Sequence, residues 1–132
     1  LTSLGGTGNK LNLVPDYQTG PLGRFYYPTN GASTSLTNLI NTGYRLASSA
    51  GLYHFTTTTN QVKETTSQVD IGYHYMAVDA QGRPLDTDGD GFPDYFEDRN
   101  GNGSADTGET DWQTSNTGMG GAAALQVFTP LK

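Results

Sequence analysis

The chain has 132 residues, of which 33% are hydrophobic and 15% are charged, with a formal net charge of −6 and no cysteine. Its length suits one domain, but Gly, Thr, Ser and Asn supply 54 residues, so a large apolar core is excluded. The lack of cysteine excludes disulfides, thiolate metal sites and cysteine nucleophiles, and an acidic chain without a basic cluster argues against a nucleic-acid partner.

The N-terminal part predicts short strands and turns. Residues 10–14, KLNLV, alternate before Pro15 and predict one short strand, and Gly20-Pro21 predicts a turn. The aromatic patch at residues 24–28, RFYYP, is typical of a packing element. A sugar-stacking surface, and with it a glycan partner, is the alternative reading of this patch.

The middle of the chain predicts one short helix and two strands. Leu36, Leu39 and Ile40 recur at helical spacing behind Ser and Thr caps, which predicts a helix of one or two turns within residues 34–41. Residues 52–59 and 69–78 predict strands, the first from its Thr-rich composition and the second from its alternation.

Two tripeptides in these strands repeat each other, Tyr53-His54-Phe55 and Tyr73-His74-Tyr75. In each, the strand pleat puts both aromatic rings on one face and the histidine on the other, so we predict neighbouring strands. Facing histidines would suit a shared metal ion or an acid–base pair. With no cysteine and no third ligand at metal spacing, we instead expect both to face solvent or a hydrogen-bonded rim.

Residues 38–43, NLINTG, and residues 69–75, VDIGYHY, form a second recognisable pair. The pair resembles the S-P-L-I-N/D-A-G and V-D-I-G-x-x-Y motifs near the C-terminal ends of large secreted bacterial proteins built on right-handed parallel β-helices. Thr37-Asn38 stands where that family has Ser-Pro. The resemblance implies a structural rather than a catalytic module, and it implies that D-x-D-G-D-G-x-P-D calcium stretches follow.

Residues 86–97 and 98–109 are two consecutive twelve-residue segments with the same spacing of oxygen-bearing side chains, at positions 1, 3, 5, 9 and 12, and glycine at position 6. The spacing fits the D-x-D/N-x-D/N-G-x5-E pattern of calcium loops, in which the main-chain carbonyl of position 7 adds an oxygen. We therefore predict two bound Ca²⁺ ions. The predicted ligands are Asp86, Asp88, Asp90, Phe92 (carbonyl), Asp94 and Glu97 for the first ion, and Asp98, Asn100, Asn102, Ser104 (carbonyl), Asp106 and Glu109 for the second.

A disordered acidic tract is the alternative, because nine carboxylates and one cation, Arg99, give residues 86–111 a local charge of −8. The interspersed glycines favour tight turns instead. Residues 81–85, QGRPL, cannot form the entering helix of an EF-hand. The segment resembles a thrombospondin type 3 repeat or another helix-poor calcium module of extracellular proteins, which implies a secreted, extracellular or cell-surface location.

We divide the chain into a β-rich module at residues 1–84, tandem calcium-binding loops at 85–112, and a linker with a C-terminal strand at 113–132. Residues 125–129, LQVFT, alternate behind a Gly/Ala-rich linker and have no obvious strand partner in the chain. This predicts a homo-oligomer or filament formed by strand exchange, and docking onto the chain's own sheet is the alternative.

The predicted fold class is all-β: a small, loop-rich β unit with a helix-poor tandem calcium-binding loop segment and a C-terminal strand on a flexible linker. The expected function is a secreted, calcium-stabilised structural module that assembles into an extracellular filament or surface protein. The alternative is a non-catalytic C-terminal module of a secreted polysaccharide-active β-helix enzyme or a carbohydrate-binding adhesin. No enzyme is predicted, since motifs such as G-x-S-x-G are absent, and no apolar run predicts a membrane span. A chain that opens on Leu1 without a signal segment predicts a processed or excised piece.

Overall fold

The computed structural model describes residues 14–115, and regular secondary structure is sparse within that range. Its strands are β1 (Gln18–Gly20), β2 (Gly23–Tyr26), β3 (Phe55–Thr56) and β4 (Tyr75–Met76), and its helices are α1 (Thr34–Thr37), α2 (Asp94–Glu97) and a 3-10 turn at Ser48–Ala50. The strands form two separate antiparallel pairs. This confirms a small, loop-rich and mostly non-helical unit. The strand predicted at residues 10–14 lies outside the described residues except for its last residue. The strand predicted at residues 125–129 lies wholly outside them.

The first sheet is a β1–β2 hairpin whose turn follows Gly20, as predicted. Glycine is required at this residue because a Cβ there would lie 2.5 Å from the Tyr26 ring. Tyr26 is buried and stacks on Tyr75 with 4.1 Å between ring centroids, and the Phe25 N–H donates to the Tyr75 hydroxyl. The predicted packing role of the aromatic patch is therefore confirmed for Tyr26, and for the fully buried Tyr27, while Phe25 is half exposed.

The second sheet pairs β3 with β4, with Phe55 opposite Met76. The Ala77 N–H donates to the carbonyl of His54 at 3.1 Å, so the strands that hold the two repeated tripeptides are neighbours, as predicted. Both strands are much shorter than predicted from residues 52–59 and 69–78. The flanking backbone is bonded elsewhere. The carbonyl of Thr57, for example, accepts the N–H of Tyr27, which directly follows β2.

A small apolar core lies against α1. The Ser33 hydroxyl caps this helix by accepting the N–H of Leu36 at 3.3 Å. Leu36 and Leu39 are buried against Tyr27, with Tyr17 and Ile40 packed around them. The predicted short helix is thus confirmed as one turn, which ends at Thr37, so Leu39 and Ile40 pack on the core from the residues that follow it.

The two motif segments at residues 38–43 and 69–75 lie against each other. Gly43 donates its N–H to the carbonyl of Val69 at 2.8 Å, and Ile71 donates its N–H to the carbonyl of Leu39 at 2.8 Å. Asp70 accepts the N–H of Asn41 at 2.7 Å, and its second oxygen accepts the hydroxyl of Thr57. The buried Asp70 carboxylate therefore joins the two segments to the end of β3.

Residues 85–112 pack directly on the β unit. The Leu85 N–H donates to the carbonyl of Ala77 at 3.1 Å, and the Tyr53 N–H donates to the carbonyl of Gly101 at 3.0 Å. Gly101 approaches Gly51 so closely that a Cβ on it would collide with the Gly51 carbonyl. Within residues 14–115, no helix has the length and apolar character needed to cross a membrane.

Candidate metal centre

In both predicted calcium loops, the glycines at positions 4 and 6 have positive φ angles, which other residue types rarely adopt. The φ angles are +74° and +98° at Gly89 and Gly91, and +66° and +86° at Gly101 and Gly103. Left-handed φ values bend the chain sharply at little cost only when no Cβ is present. The two loops therefore fold back on themselves at equivalent positions.

The side chain at position 1 organises each loop in the same way. Asp86 accepts the N–H of Gly91 at 3.0 Å in the first loop, and Asp98 accepts the N–H of Gly103 at 2.6 Å in the second. In both cases position 1 bonds to position 6. The carboxylate thus closes each loop around the side chains that lie between these positions.

In both loops, the side-chain oxygens at positions 3 and 5 accept the backbone N–H groups of positions 5 and 7. Asp88 accepts the N–H of Asp90, and Asp90 accepts the N–H of Phe92, at 3.1 and 2.9 Å. The equivalent pairs in the second loop run along residues 100, 102 and 104 at 3.0 and 2.6 Å. The register that the sequence pattern implies therefore reappears as one hydrogen-bond pattern in both loops.

The carboxylates at positions 1, 3 and 5 of the first loop come together. Asp86, Asp88 and Asp90 each offer an oxygen, and these atoms all lie within 4.8 Å of one another. One oxygen of Asp88, Oδ2, is buried without a hydrogen-bond donor among the described residues. Burial and the charges of Asp90 and Asp86 raise the pKa of Asp88. These three carboxylates could hold a metal ion. The ion would offset both the repulsion between the carboxylates and the burial of the Asp88 oxygen that has no donor.

Asp94, at position 9 of the first loop, is not part of that group. Its carboxylate accepts the N–H and the hydroxyl of Thr87 at 2.6 and 2.7 Å and lies 3.1 Å from the ammonium of Lys63. Burial alone would raise the pKa of Asp94, but the His54 ring, Thr87 and Lys63 together lower it to about 2. The carboxylate is thus ionised and directed toward the β unit.

Glu97 and Asp98 lie where one loop passes into the next. Both are buried, at the end of the single-turn helix α2 and directly after it. The N–H of Asp98 donates to the carbonyl of Asp94 at 3.0 Å. The two loops consequently form one continuous segment, as the sequence predicts.

The second loop brings its predicted ligands together by hydrogen bonds. The side-chain amides of Asn100 and Asn102 both donate to Asp106, at 2.8 and 2.7 Å. Glu109 accepts the N–H of Asn100 at 3.1 Å and that of Asp106 at 3.2 Å. The residues at positions 3, 5, 9 and 12 are therefore neighbours across the loop.

His54 differs from its prediction. We expected both strand histidines to face solvent or a rim, but His54 is only 2% exposed, with Nε2 2.8 Å from Oδ2 of Asp98 and Nδ1 3.7 Å from Oδ2 of Asp94. The prediction was wrong because the loops, which are distant in sequence, cover this face of β3. His74 lies 3.2 Å from Glu64, on the β unit itself.

Trp112 and Lys63 are further residues that the sequence reasoning did not single out. The Trp112 indole donates to the carbonyl of Gly103 at 3.2 Å and packs edge-on against His54 with 5.0 Å between ring centroids. The Lys63 ammonium lies 4.6 Å from the Trp112 ring centroid. A lone tryptophan three residues after the second loop was the signal that could have revealed this contact.

Comparison of the chain with protein-family models, with curated proteins and with solved structures gives no match. The function proposed below therefore rests on the geometry of the two loops and on their contacts with the strands.

Proposed function

We propose that this chain is a secreted structural module stabilised by two Ca²⁺ ions, one in each loop. The observation that carries the proposal is the repeated loop geometry. Two successive twelve-residue segments show equivalent side-chain-to-backbone hydrogen bonds and positive φ at the same two glycine positions. An acidic tract without a folding role has no reason to repeat such a pattern.

The chemistry of the predicted ligands supports calcium. All of them are oxygen donors, and Ca²⁺ takes six to eight oxygens at roughly 2.3–2.6 Å in flexible geometry, whereas Mg²⁺ demands near-ideal octahedra. Asp86, Asp88 and Asp90 supply the three gathered carboxylates of the first site. The second loop replaces two of these with Asn100 and Asn102, so the first site should bind more tightly on charge count.

We assign the ions a scaffold role. Two Ca²⁺ would change the local charge of residues 86–111 from −8 to −4 and so reduce the repulsion within the segment. Gly101 of this segment and Leu85 directly before it are bonded to Tyr53 and Ala77, which flank the strands of the second sheet. Ordering the loops would therefore also order the strands beneath them. Weak sites of this kind, with Kd of about 10⁻⁴–10⁻³ M, stay filled in extracellular fluids, which supports secretion.

Assembly by strand addition is the further part of the proposal. It is supported by the alternating segment at residues 125–129 and by the preceding Gly/Ala-rich linker. An extended segment on such a linker can pair with the sheet edge of another copy and exchange main-chain hydrogen bonds. A head-to-tail contact of this type repeats into an open filament.

The alternative is that the chain is the non-catalytic C-terminal module of a larger secreted protein, such as a polysaccharide-active β-helix enzyme or a carbohydrate-binding adhesin. The contact between residues 38–43 and 69–75 favours it, since the two resembling motifs bond to each other through Gly43, Ile71 and Asp70. Both readings assign calcium the same structural role.

Isothermal titration calorimetry of the calcium-free chain tests the central proposal. We expect two bound Ca²⁺ per chain, with one site lost in D88A and the other weakened in D106A. The matched control is D79N, because Asp79 pairs with Arg83 outside the loops. No Ca²⁺ uptake up to millimolar concentration, or loss of the same site in D88A and D79N, would contradict it.

A further inference from the structure

His54 is a buried polar side chain to which the ligand prediction gives no role. Its Nε2 lies 2.8 Å from Oδ2 of Asp98, the residue at position 1 of the second loop. Asp98 is itself almost wholly buried. A carboxylate that ligates a cation only accepts hydrogen bonds, so in the proposed site the Nε2–H of His54 is the donor in this contact.

The contact distinguishes the second loop from the first. The Asp98 carboxylate accepts the N–H groups of Asn102 and Gly103 and, in addition, the His54 ring. Asp86, the equivalent residue of the first loop, accepts the N–H groups of Gly89 and Gly91. The second loop has fewer carboxylates than the first. Its ligand at position 1, Asp98, has His54 as an additional side-chain hydrogen-bond partner.

The His54 ring is held in place by its neighbours. Trp112 contacts it edge-on at 82° between ring planes, and Tyr53 contacts it at 63°, each with 5.0 Å between centroids. The carbonyl of His54 accepts the N–H of Ala77 from the end of β4. Its orientation is therefore set by the second sheet and by Trp112.

We propose that His54 is a positioning residue for the second cation site, whose Nε2–H holds the Asp98 carboxylate in the orientation that binds Ca²⁺. This inference rests on the calcium function proposed above. A histidine on the sheet would then connect occupancy of the second site to the β3–β4 pair. Removing a group that hydrogen-bonds to a metal ligand costs about 10- to 100-fold in metal affinity, which sets the effect to be measured.

The test compares H54F, H54Q and H74F in the D88A background, so that only the second site is titrated. The probe is Tb³⁺, whose luminescence is excited through Trp112, the one tryptophan of the chain, which contacts the second loop at Gly103. Phenylalanine keeps the ring packing without a donor, and glutamine restores a donor. His74 is the matched control, because it pairs with Glu64 and not with a loop residue.

We expect H54F to bind Tb³⁺ about 10- to 100-fold more weakly than the D88A parent, with H54Q recovering most of the loss and H74F unchanged. Equal affinities in H54F and H74F would overturn the inference while leaving the calcium function intact. A D88A parent and a wild-type chain that bind no ion would instead overturn the proposed function and this inference with it.

A second measurement on the wild-type chain decides the matter even if H54F does not fold. Nitrogen-15 NMR of the two imidazoles, recorded during a Ca²⁺ titration, separates Nε2 from Nδ1. We expect the Nε2 signal of His54 to carry the proton and to shift as the second site fills, while the His74 signals stay constant. A His54 Nε2 signal that does not respond to calcium would overturn the proposal.

Discussion

At the scale of single residues, position 6 of the two loops shows one residue type in two environments. Gly91 and Gly103 both have φ in the left-handed region. A Cβ on Gly91 would meet no atom within 4 Å, whereas a Cβ on Gly103 would overlap the Tyr53 ring. Only the second loop is therefore packed tightly on the sheet at this position.

This difference predicts unequal effects of alanine. G91A should lower the free energy of unfolding by about 1–2 kcal/mol, the cost of left-handed backbone for an L-residue. G103A should cost about 1–3 kcal/mol more, because the added methyl overpacks against Tyr53. Urea unfolding in saturating calcium measures both. Equal losses would contradict the contact between the second loop and Tyr53.

At the scale of elements, Asp70 joins the two motif segments and β3 through Asn41 and Thr57. D70A removes both acceptor oxygens and should cost about 1–3 kcal/mol of stability, because the Asn41 N–H and the Thr57 hydroxyl lose their acceptor. D70N keeps an oxygen acceptor and should cost less. Thermal unfolding of the three chains measures the difference, and a neutral D70A would contradict the role of Asp70 as a link.

The D70N variant also gives a pH prediction. Burial is the main reason that the pKa of Asp70 is raised above 3.8, so the folded chain retains this proton where the unfolded chain has lost it. Its contribution to stability is complete below the unfolded pKa and falls as the pH rises through the folded one. Relative to wild type, D70N should therefore gain stability as the pH is raised above about 4, through the range in which the folded carboxyl loses its proton. A constant difference across that range would contradict the assignment.

The sequence predicted those elements that depend on the spacing of neighbouring residues. It missed the features that depend on contacts between residues far apart in the chain. The capped turn at α1 follows from Ser33 and the leucine spacing, and the loop geometry follows from glycine and carboxylate spacing. Strand lengths were overestimated, because alternation at residues 69–78 does not show which backbone groups find a partner. Ile71 and Tyr73, on its apolar face, are in fact exposed. The buried state of His54 depends on Asp98, which is 44 positions away in sequence, so no local pattern could reveal it.

At the scale of the whole molecule, the described residues bury little apolar surface, and polar contacts join their parts. The core around Leu36 is small, while His54 and Lys63 of the β unit contact the loop segment at Asp98, Asp94 and Trp112. A fold of this type has few ways to compensate for the loss of its loops. This is why we assign the cations to stability rather than to chemistry.

Strand addition predicts that assembly depends on the C-terminal residues. Deleting residues 125–132 from an assembling chain should give monomers, because the segment proposed to pair with the next copy is removed. Analytical ultracentrifugation and electron microscopy measure this. A truncated chain that forms polymers of unchanged length would rule out the mechanism.

Thermal unfolding with calcium and with EDTA tests the central claim most directly. An ion present at 100 times its Kd adds about 2.7 kcal/mol of stability per site, so the Tm should fall by about 10 °C or more in EDTA. Limited proteolysis should then cleave within residues 80–115, which calcium protects. An unchanged Tm together with an unchanged cleavage pattern in EDTA would contradict the structural role of the two loops.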